Sequence, residues 1–241
     1  MSEVPARRGS LRERKRAATI EEIKSVAIDQ LAADSGQMTL RGVAREVGLT
    51  VQSLYNYFPS REDLITALVA DAHNALADAV QTAAREQRAL PASERLVRVA
   101  LAYRRWAVEH RARFLLIYGT PVPGYRAPEG GPTTGAARRL GTTLVEVVFG
   151  DWNAAELAGI HRPGEDDRPV PALATSAELF SPGMPPAALG FGLDLWGRIH
   201  GLVMLEVLGH LPWLGPDAEA NYHDAMIRAA ADVQRVREHG A

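Results

Sequence analysis

Cysteine is absent from the 241 residues, which excludes a disulfide frame and any thiolate metal site and fits a reducing compartment. Long apolar runs free of charge are missing as well. The most apolar stretch, Leu189 to Leu211, carries Asp194, Arg198, His200, Glu206 and His210, so it does not read as a membrane span. Residues 1–16 are basic and polar without an apolar segment, so no secretory signal is expected. The expectation is a soluble, cytoplasmic protein. No segment alternates polar and apolar residues as a strand would, and no internal repeat is visible. An excess of one charge is lacking too. Net charge is −2, with 46% hydrophobic and 23% charged residues, the ordinary balance of a globular chain that can hold one large domain or two smaller ones.

The signatures of enzymes are equally sparse. Among seven histidines, His110, His161, His200 and His210 show neither an HExxH pattern nor an i, i+4 pair, so no metal site is predicted. No GxSxG, Walker loop or GxGxxG occurs, and Gly130-Gly131 sits in a Pro-rich loop with no strand before it. No nucleophile–base pair can be named. The reading is a non-enzyme with no metal and no cofactor.

What is present is concentrated between Thr39 and Asp63 (TLRGVAREVGLTVQSLYNYFPSRED). Thr39 offers a hydroxyl N-cap, and Leu40, Val43, Ala44 and Val47 follow as one helical face. Gly48 sits where a left-handed residue ends a helix, and Leu49 tucks under the turn. Thr50 caps a second helix expected over Val51 to Phe58, with Leu54 and Phe58 inward at i, i+4. Pro59 stops it, and Ser60 with Asp63 makes a variant capping box for the next helix. Two short helices joined by a Gly-containing turn form a helix-turn-helix, whose second helix enters a DNA major groove. Its outward side chains, Thr50, Gln52, Ser53, Asn56 and Tyr57, with Val51 in the same helix, are the candidate DNA-facing set.

The segment closely resembles the DNA-binding domain of TetR-family transcriptional repressors, in which a recognition helix with Leu-Tyr-x-Tyr-Phe leads to a Ser-Lys/Arg-Glu cap. Leu54, Tyr55, Tyr57, Phe58, Pro59, Ser60, Arg61 and Glu62 stand here in that order. Gly42 departs from the pattern, where a helix former is usual and Gly costs about 1 kcal/mol relative to Ala. The resemblance implies an all-α protein, with a helix-turn-helix domain over residues 1–60 and a larger helical effector-binding and dimerisation domain over residues 61–241. It also implies that Arg41 reaches a base edge or phosphate, Tyr55 steadies a backbone contact, and Arg61 grips a phosphate.

Around this motif the sequence predicts a first helix from about Ser10 to Ala33, closed by Asp34-Ser35-Gly36. A fourth should run from Arg61 to about Arg88, another restarts at Pro91-Ala92-Ser93 and holds Leu96, Val99, Tyr103 and Trp106, and a short one follows from about His110 to Tyr118. The last three are expected over about 135–150, Leu189 to Leu211 and Asp217 to Glu238. Gly119 to Gly135 and a stretch around His161 to Pro171 read as loops. Arg7, Arg8, Arg12, Arg14, Lys15 and Arg16 crowd the N-terminus against Glu3 and Glu13. By itself that is a solvated basic tail. Before a helix-turn-helix it can track phosphates.

The penultimate helix carries Gly190, Gly192, Gly197, Gly201 and Gly209, and Gly197 and Gly201 one turn apart predict close approach by another helix or a ligand. Trp196 to Val203 (WGRIHGLV) resembles the Trp-x-x-x-His-Gly pattern of the WHG-type C-terminal domain of TetR-like regulators. The last two helices are too apolar to face water on every side, which makes Gly197, Gly201, Met204, Leu208, Tyr222, Met226 and Ala229 the candidate dimer contacts. Tyr103, Trp106, Phe114, Tyr118, Trp196 and His200 are the candidate effector contacts. Each aromatic taken alone is equally an ordinary core residue, and His200 a hydrogen-bonded core histidine. The function expected is a homodimeric repressor on a palindromic double-stranded DNA operator, released by a small apolar molecule. The alternatives are an effector-free dimeric DNA-binding regulator, or an enzyme or sensor with an incidental helix-turn-helix.

Overall fold

The computed structural model describes residues 10–33, 38–120, 122–128, 130–160 and 170–240. Arg7 and Arg8, the Asp34-Ser35-Gly36 stop and the loop from His161 lie outside the described residues. Among those described the chain is all-α, with no strand. The helices are α1 (Leu11–Ala33), α2 (Leu40–Val47), α3 (Val51–Tyr55), α4 (Arg61–Glu86), α5 (Ala92–Glu109), α6 (Arg111–Tyr118), α7 (Pro132–Phe149), α8 (Ala154–Ala158), α9 (Pro171–Phe180), α10 (Pro186–Val207) and α11 (Ala218–Gly240), with a 3₁₀ turn over Pro212–Asp217 before the last.

The short α8 and α9 and the 3₁₀ turn were not expected from the sequence. Five residues cannot display a helical period, and α8 is held instead by a local capping box. Asn153 Oδ1 accepts from Glu156 N at 3.0 Å while Glu156 Oε2 accepts from Asn153 N at 2.7 Å. Similarly, α7 starts at Pro132 rather than near residue 135, because proline is preorganised for the first helical turn.

Two compact units divide the chain: Met1–Ala72 with Ala112–Glu129, and His73–Arg111 with Gly130–Ala241. The division falls inside α4, and the first unit includes a segment that follows α5. Its core explains why. Ile23 of α1, Val43 of α2, Leu54 of α3 and Leu64, Ile65 and Leu68 of α4 are fully buried. Val122, Leu116 and Tyr125 pack on that same cluster. Each aliphatic side chain so buried is worth about 1.5–3 kcal/mol. Tyr125 also shares a 3.1 Å hydrogen bond with Thr66. The Pro/Gly-rich loop is therefore partly anchored by apolar residues.

In the first unit, Lys24 of α1 pairs with Asp71 of α4 at 2.6 Å. Gln30 of α1 donates to Glu46 of α2 at 2.8 Å. That approach accounts for Gly42. A Cβ there would lie 3.0 Å from Gln30 Oε1 and 3.1 Å from Thr39 Oγ1.

In the second unit α5, α10 and α11 are joined by an ion triad centred on a buried arginine. Arg104, 7% exposed, donates to both Glu206 oxygens (2.8 and 2.6 Å) and to Glu219 at 2.7 Å. Tyr222 of α11 is buried beside it and donates to Ala100 O and Ile199 O, both at 3.3 Å. Burial raises the pKa of its hydroxyl, which stays protonated and a donor.

Candidate nucleic-acid interface

The corner between α2 and α3 is built by caps. Thr39 Oγ1 accepts from Gly42 N at 3.1 Å and opens α2. At its other end Gly48 takes φ 76°, a left-handed value that a Cβ disfavours. Leu49 N then reaches back to Ala44 O at 2.8 Å, satisfying a carbonyl that the helix end would leave unpaired. Thr50 Oγ1 accepts from Ser53 N at 3.0 Å to start α3, and its hydroxyl shares a 2.8 Å bond with Ser53 Oγ.

Regular α-helix ends at Tyr55, not at Phe58 as the sequence suggested. Asn56 N and Tyr57 N bond to Ser53 O and Leu54 O, three residues back, which tightens the last turn. Pro59 then has no N–H with which to continue. Leu54 and Phe58 are nevertheless both buried, so the recognition segment keeps its inward anchors.

Gln52, Asn56, Tyr55 and Thr50 are exposed on this segment, and Arg41 on α2 and Thr39 at its cap are exposed beside it. Val51 is half-buried and packs on the first-unit core, so only part of its side chain faces outward. Ser53 and Tyr57 are half-buried as well. Arg61 has an internal task that its place in the motif did not announce. Its Nε donates to Met38 O at 2.8 Å and its Nη1 to Pro123 O at 3.4 Å. A planar guanidinium suits that double bracing, which fixes the start of α4 against the entry to α2.

α1 contributes a second edge to this surface. Ser10 and Glu13 cap each other's backbone, with Ser10 N to Glu13 Oε2 at 2.6 Å and Glu13 N to Ser10 Oγ at 3.2 Å. Arg12, Arg14, Lys15 and Arg16 are therefore helical, not part of a loose tail. Arg12, Lys15, Arg16 and Thr19 face Leu49, Ser53, Asn56 and Tyr57 across a groove of about 870 Å³.

In the second unit, α10 and α11 leave an apolar groove of about 950 Å³ with Gly197, Gly201, Leu202 and Leu205 on one side. Apart from adjacent residues and the backbone of α10 itself, no atom of the described residues lies within 4 Å of a Cβ built on Gly197 or Gly201. Among the described residues no other element therefore presses on these glycines. Leu208 is 45% exposed and Met204 half-buried. Tyr222, Met226 and Ala229 are corrected from the expected dimer set. They are 2%, 1% and 1% exposed because they form the inner face of α11, and Met226 reaches only the groove floor. Leu205 and Ile227, both more than two-fifths exposed, are two outward apolar residues of α10 and α11 that the sequence did not single out. Leu205 was legible, since it lies one turn beyond Gly201.

The six residues expected around an effector are divided between the two units. Phe114 and Tyr118 belong to the first unit, where their rings lie 5.2 Å apart. Tyr103, Trp196 and His200 cluster in the second, with Tyr103 Oη and His200 Nδ1 hydrogen-bonded at 2.7 Å and Trp196 stacked on His200 at 5.0 Å. Trp106 stacks instead on His110 at 5.0 Å. Desolvation lowers the pKa of His200, so the neutral imidazole meets the hydroxyl at pH 7. An apolar slot of about 140 Å³ opens between α7 and α10, walled by Leu144, Val148, Phe149, Leu193 and Trp196. Among the described residues no group of His, Asp and Glu is placed to hold a metal ion, and no helix is long and apolar enough to cross a membrane.

Comparison with known proteins bears on both units. Residues 27–68 match the family described as bacterial regulatory proteins, tetR family. Residues 96–230, which include the Trp196–Gly201 segment, match the tetracyclin repressor-like C-terminal domain. HTH-type transcriptional regulators of Mycobacterium bovis and Mycobacterium tuberculosis are each 35% identical over 208 residues, covering 84% of this chain and 85% of theirs. A solved structure described as a regulatory protein, SCO4313, superposes with a TM-score of 0.73 at 30% identity, over 91% of this chain and 98% of its own. The TetR-family regulator PfmR of Thermus thermophilus shares the fold, with a TM-score of 0.54 at 18% identity over 86% of this chain and 97% of its own.

Proposed function

We propose that this chain, which belongs to the TetR family of bacterial regulatory proteins, works as a cytoplasmic homodimeric repressor that an apolar small molecule releases from a palindromic operator. A DNA-binding transcriptional regulator is what the family provides. The dimer, the sign of regulation and the effector are our reading.

The DNA-binding part is the helix-turn-helix of the first 60 residues with the start of α4, and residues beyond it serve dimerisation and effector binding. The observation that carries the reading is the α2–α3 corner, capped at both helices and anchored by Leu54 and Phe58, with Gln52 and Asn56 outward. Such a corner holds polar side chains at a depth and angle that suit base edges in a major groove. Two heads of a dimer would meet half-sites about one helical turn apart.

A homodimer is supported by the groove at Gly197 and Gly201. Glycine in a helix interior costs about 1 kcal/mol relative to alanine, and inside the protomer that cost has no packing return. A second copy seated on α10 and α11 supplies one, and it covers Leu205 and Leu208. Ligand binding in the second unit would bias two arrangements of the heads and weaken operator affinity by its differential affinity for them. The α7–α10 slot favours an apolar, single-ring-sized molecule over a sugar phosphate, because its walls offer hydrocarbon and aromatic carbon.

The test is a gel shift on the DNA upstream of the gene, run with wild type and Gly201→Leu. Wild type should bind that fragment more tightly than random DNA. Gly201→Leu meets open space within the protomer, so its fold should survive, while overpacking the interface by about 1–3 kcal/mol. Sedimentation should show more monomer, and palindrome binding should fall. A Gly201→Leu protein that stays dimeric at low concentration removes this turn from the interface. A wild type that binds upstream and random DNA equally overturns the regulator reading.

A further inference from the structure

Arg16 joins α1 to the end of the recognition segment through two separate contacts. Its Nη2 donates to the main-chain oxygen of Asn56 at 3.1 Å. Its guanidinium carbon lies 4.8 Å from the centre of the Tyr57 ring, over the ring face. The oxygen belongs to the cap of α3, where unpaired carbonyls leave partial negative charge. The ring belongs to the residue after it, which has already left the regular helix. One planar cation therefore pins the backbone and a side chain at the point where the hydrogen bonds of α3 tighten to three-residue spacing.

The surrounding groove has one sign of charge. Arg12, Lys15, Arg16 and Thr19 recur at the helical interval and share a face of α1. Across from them stand Ser53 and Asn56, and no acidic side chain is among the lining residues. Arg12 and Lys15 make no ion pair among the described residues, and α1 is exposed throughout this stretch. Cations on a helix beside the recognition segment can neutralise phosphates flanking the groove that the segment enters.

We propose that α1 is a working part of the DNA-reading surface: Arg16 is a positioning residue that holds Asn56 and Tyr57 in reading geometry, and the groove it closes seats the sugar-phosphate backbone against Arg12 and Lys15. The inference rests on the regulator reading above. It separates the two kinds of cation on one helix. Arg16 acts through α3 and therefore on sequence discrimination, whereas Arg12 and Lys15 act on affinity for any duplex.

Two variants of the full chain test it, measured against the upstream fragment and random DNA over a range of salt. Arg16→Lys keeps the charge but loses the planar fork that donates and stacks at once. It should bind the upstream fragment about three- to tenfold more weakly, bind random DNA like wild type, and leave the slope of log K against log salt unchanged. Arg12→Gln with Lys15→Gln should weaken both DNAs alike and flatten that slope by about 3–4, because each of the two heads of the dimer loses two phosphate partners. Thermal melting of each variant should match wild type, since these side chains are exposed. An Arg16→Lys protein with wild-type discrimination overturns the positioning role, and an unchanged slope in the double variant overturns the phosphate groove. If wild type itself does not distinguish the two DNAs, it is the regulator reading that fails, before either variant is compared.

Discussion

Gln52→Ala and Asn56→Ala are each expected to cost about 1–3 kcal/mol of binding on an operator half-site, and less on random DNA. Both side chains are exposed, one turn apart, on a segment whose inward residues are fully or nearly buried. Their amides can pair with an adenine edge through a donor and an acceptor at once, which alanine cannot replace. Neither side chain has packing to lose, so melting temperatures should stay near wild type. A homodimer carries the change in both heads, and the measured effect on a palindrome should approach twice that on a half-site. Anisotropy titrations at one fixed salt concentration would read the difference. Two folded variants that bind operator like wild type would remove this helix from the reading role.

Loss of the ion triad should be the most damaging single change to the fold. Arg104→Met removes three charge-assisted hydrogen bonds and leaves Glu206, whose side chain is 18% exposed, facing an apolar stem. Removing one partner of a buried pair costs about 3–5 kcal/mol, mostly through the charge left behind. Glu219 is two-thirds exposed and rehydrates readily, so the lower end, about 3 kcal/mol, is expected. For a chain of this size that lowers the melting temperature by roughly 6–12 °C. Adding Glu206→Gln to Arg104→Met should recover part of the loss by removing the stranded charge. Scanning calorimetry of the two variants decides it. An Arg104→Met protein that melts with wild type would make the triad a surface ornament despite its burial.

These two effects mark where reading a chain succeeds and where it stops. The recognition segment was legible because every signal in it is local: Thr39 and Thr50 cap, Gly48 turns left-handed, and Pro59 stops. All act within four residues, and the family resemblance ran through the same positions. The triad was invisible because Arg104 lies more than a hundred residues from both Glu206 and Glu219 along the chain and meets them only when α5, α10 and α11 pack. Arg61 shows the same limit from the other side. Its place in the motif implied a phosphate contact, and only the fold brings Met38 O and Pro123 O within reach of its Nε and Nη1 as well.

The sequence by itself determined the all-α class, the long helices to within a few residues, and the helix-turn-helix with its outward polar set, since period, caps and breakers are short-range physics. Tertiary structure alone decided which apolar residues of the last two helices lie inside. It turned Tyr222, Met226 and Ala229 inward while leaving Gly197 and Gly201 open, because an apolar residue is compatible with either a core or an interface until its neighbours are in place. It likewise assigned Phe114 and Tyr118 to one compact unit and Tyr103, Trp196 and His200 to the other. Aromatic side chains carry no address beyond their hydrophobicity, and only packing supplies one.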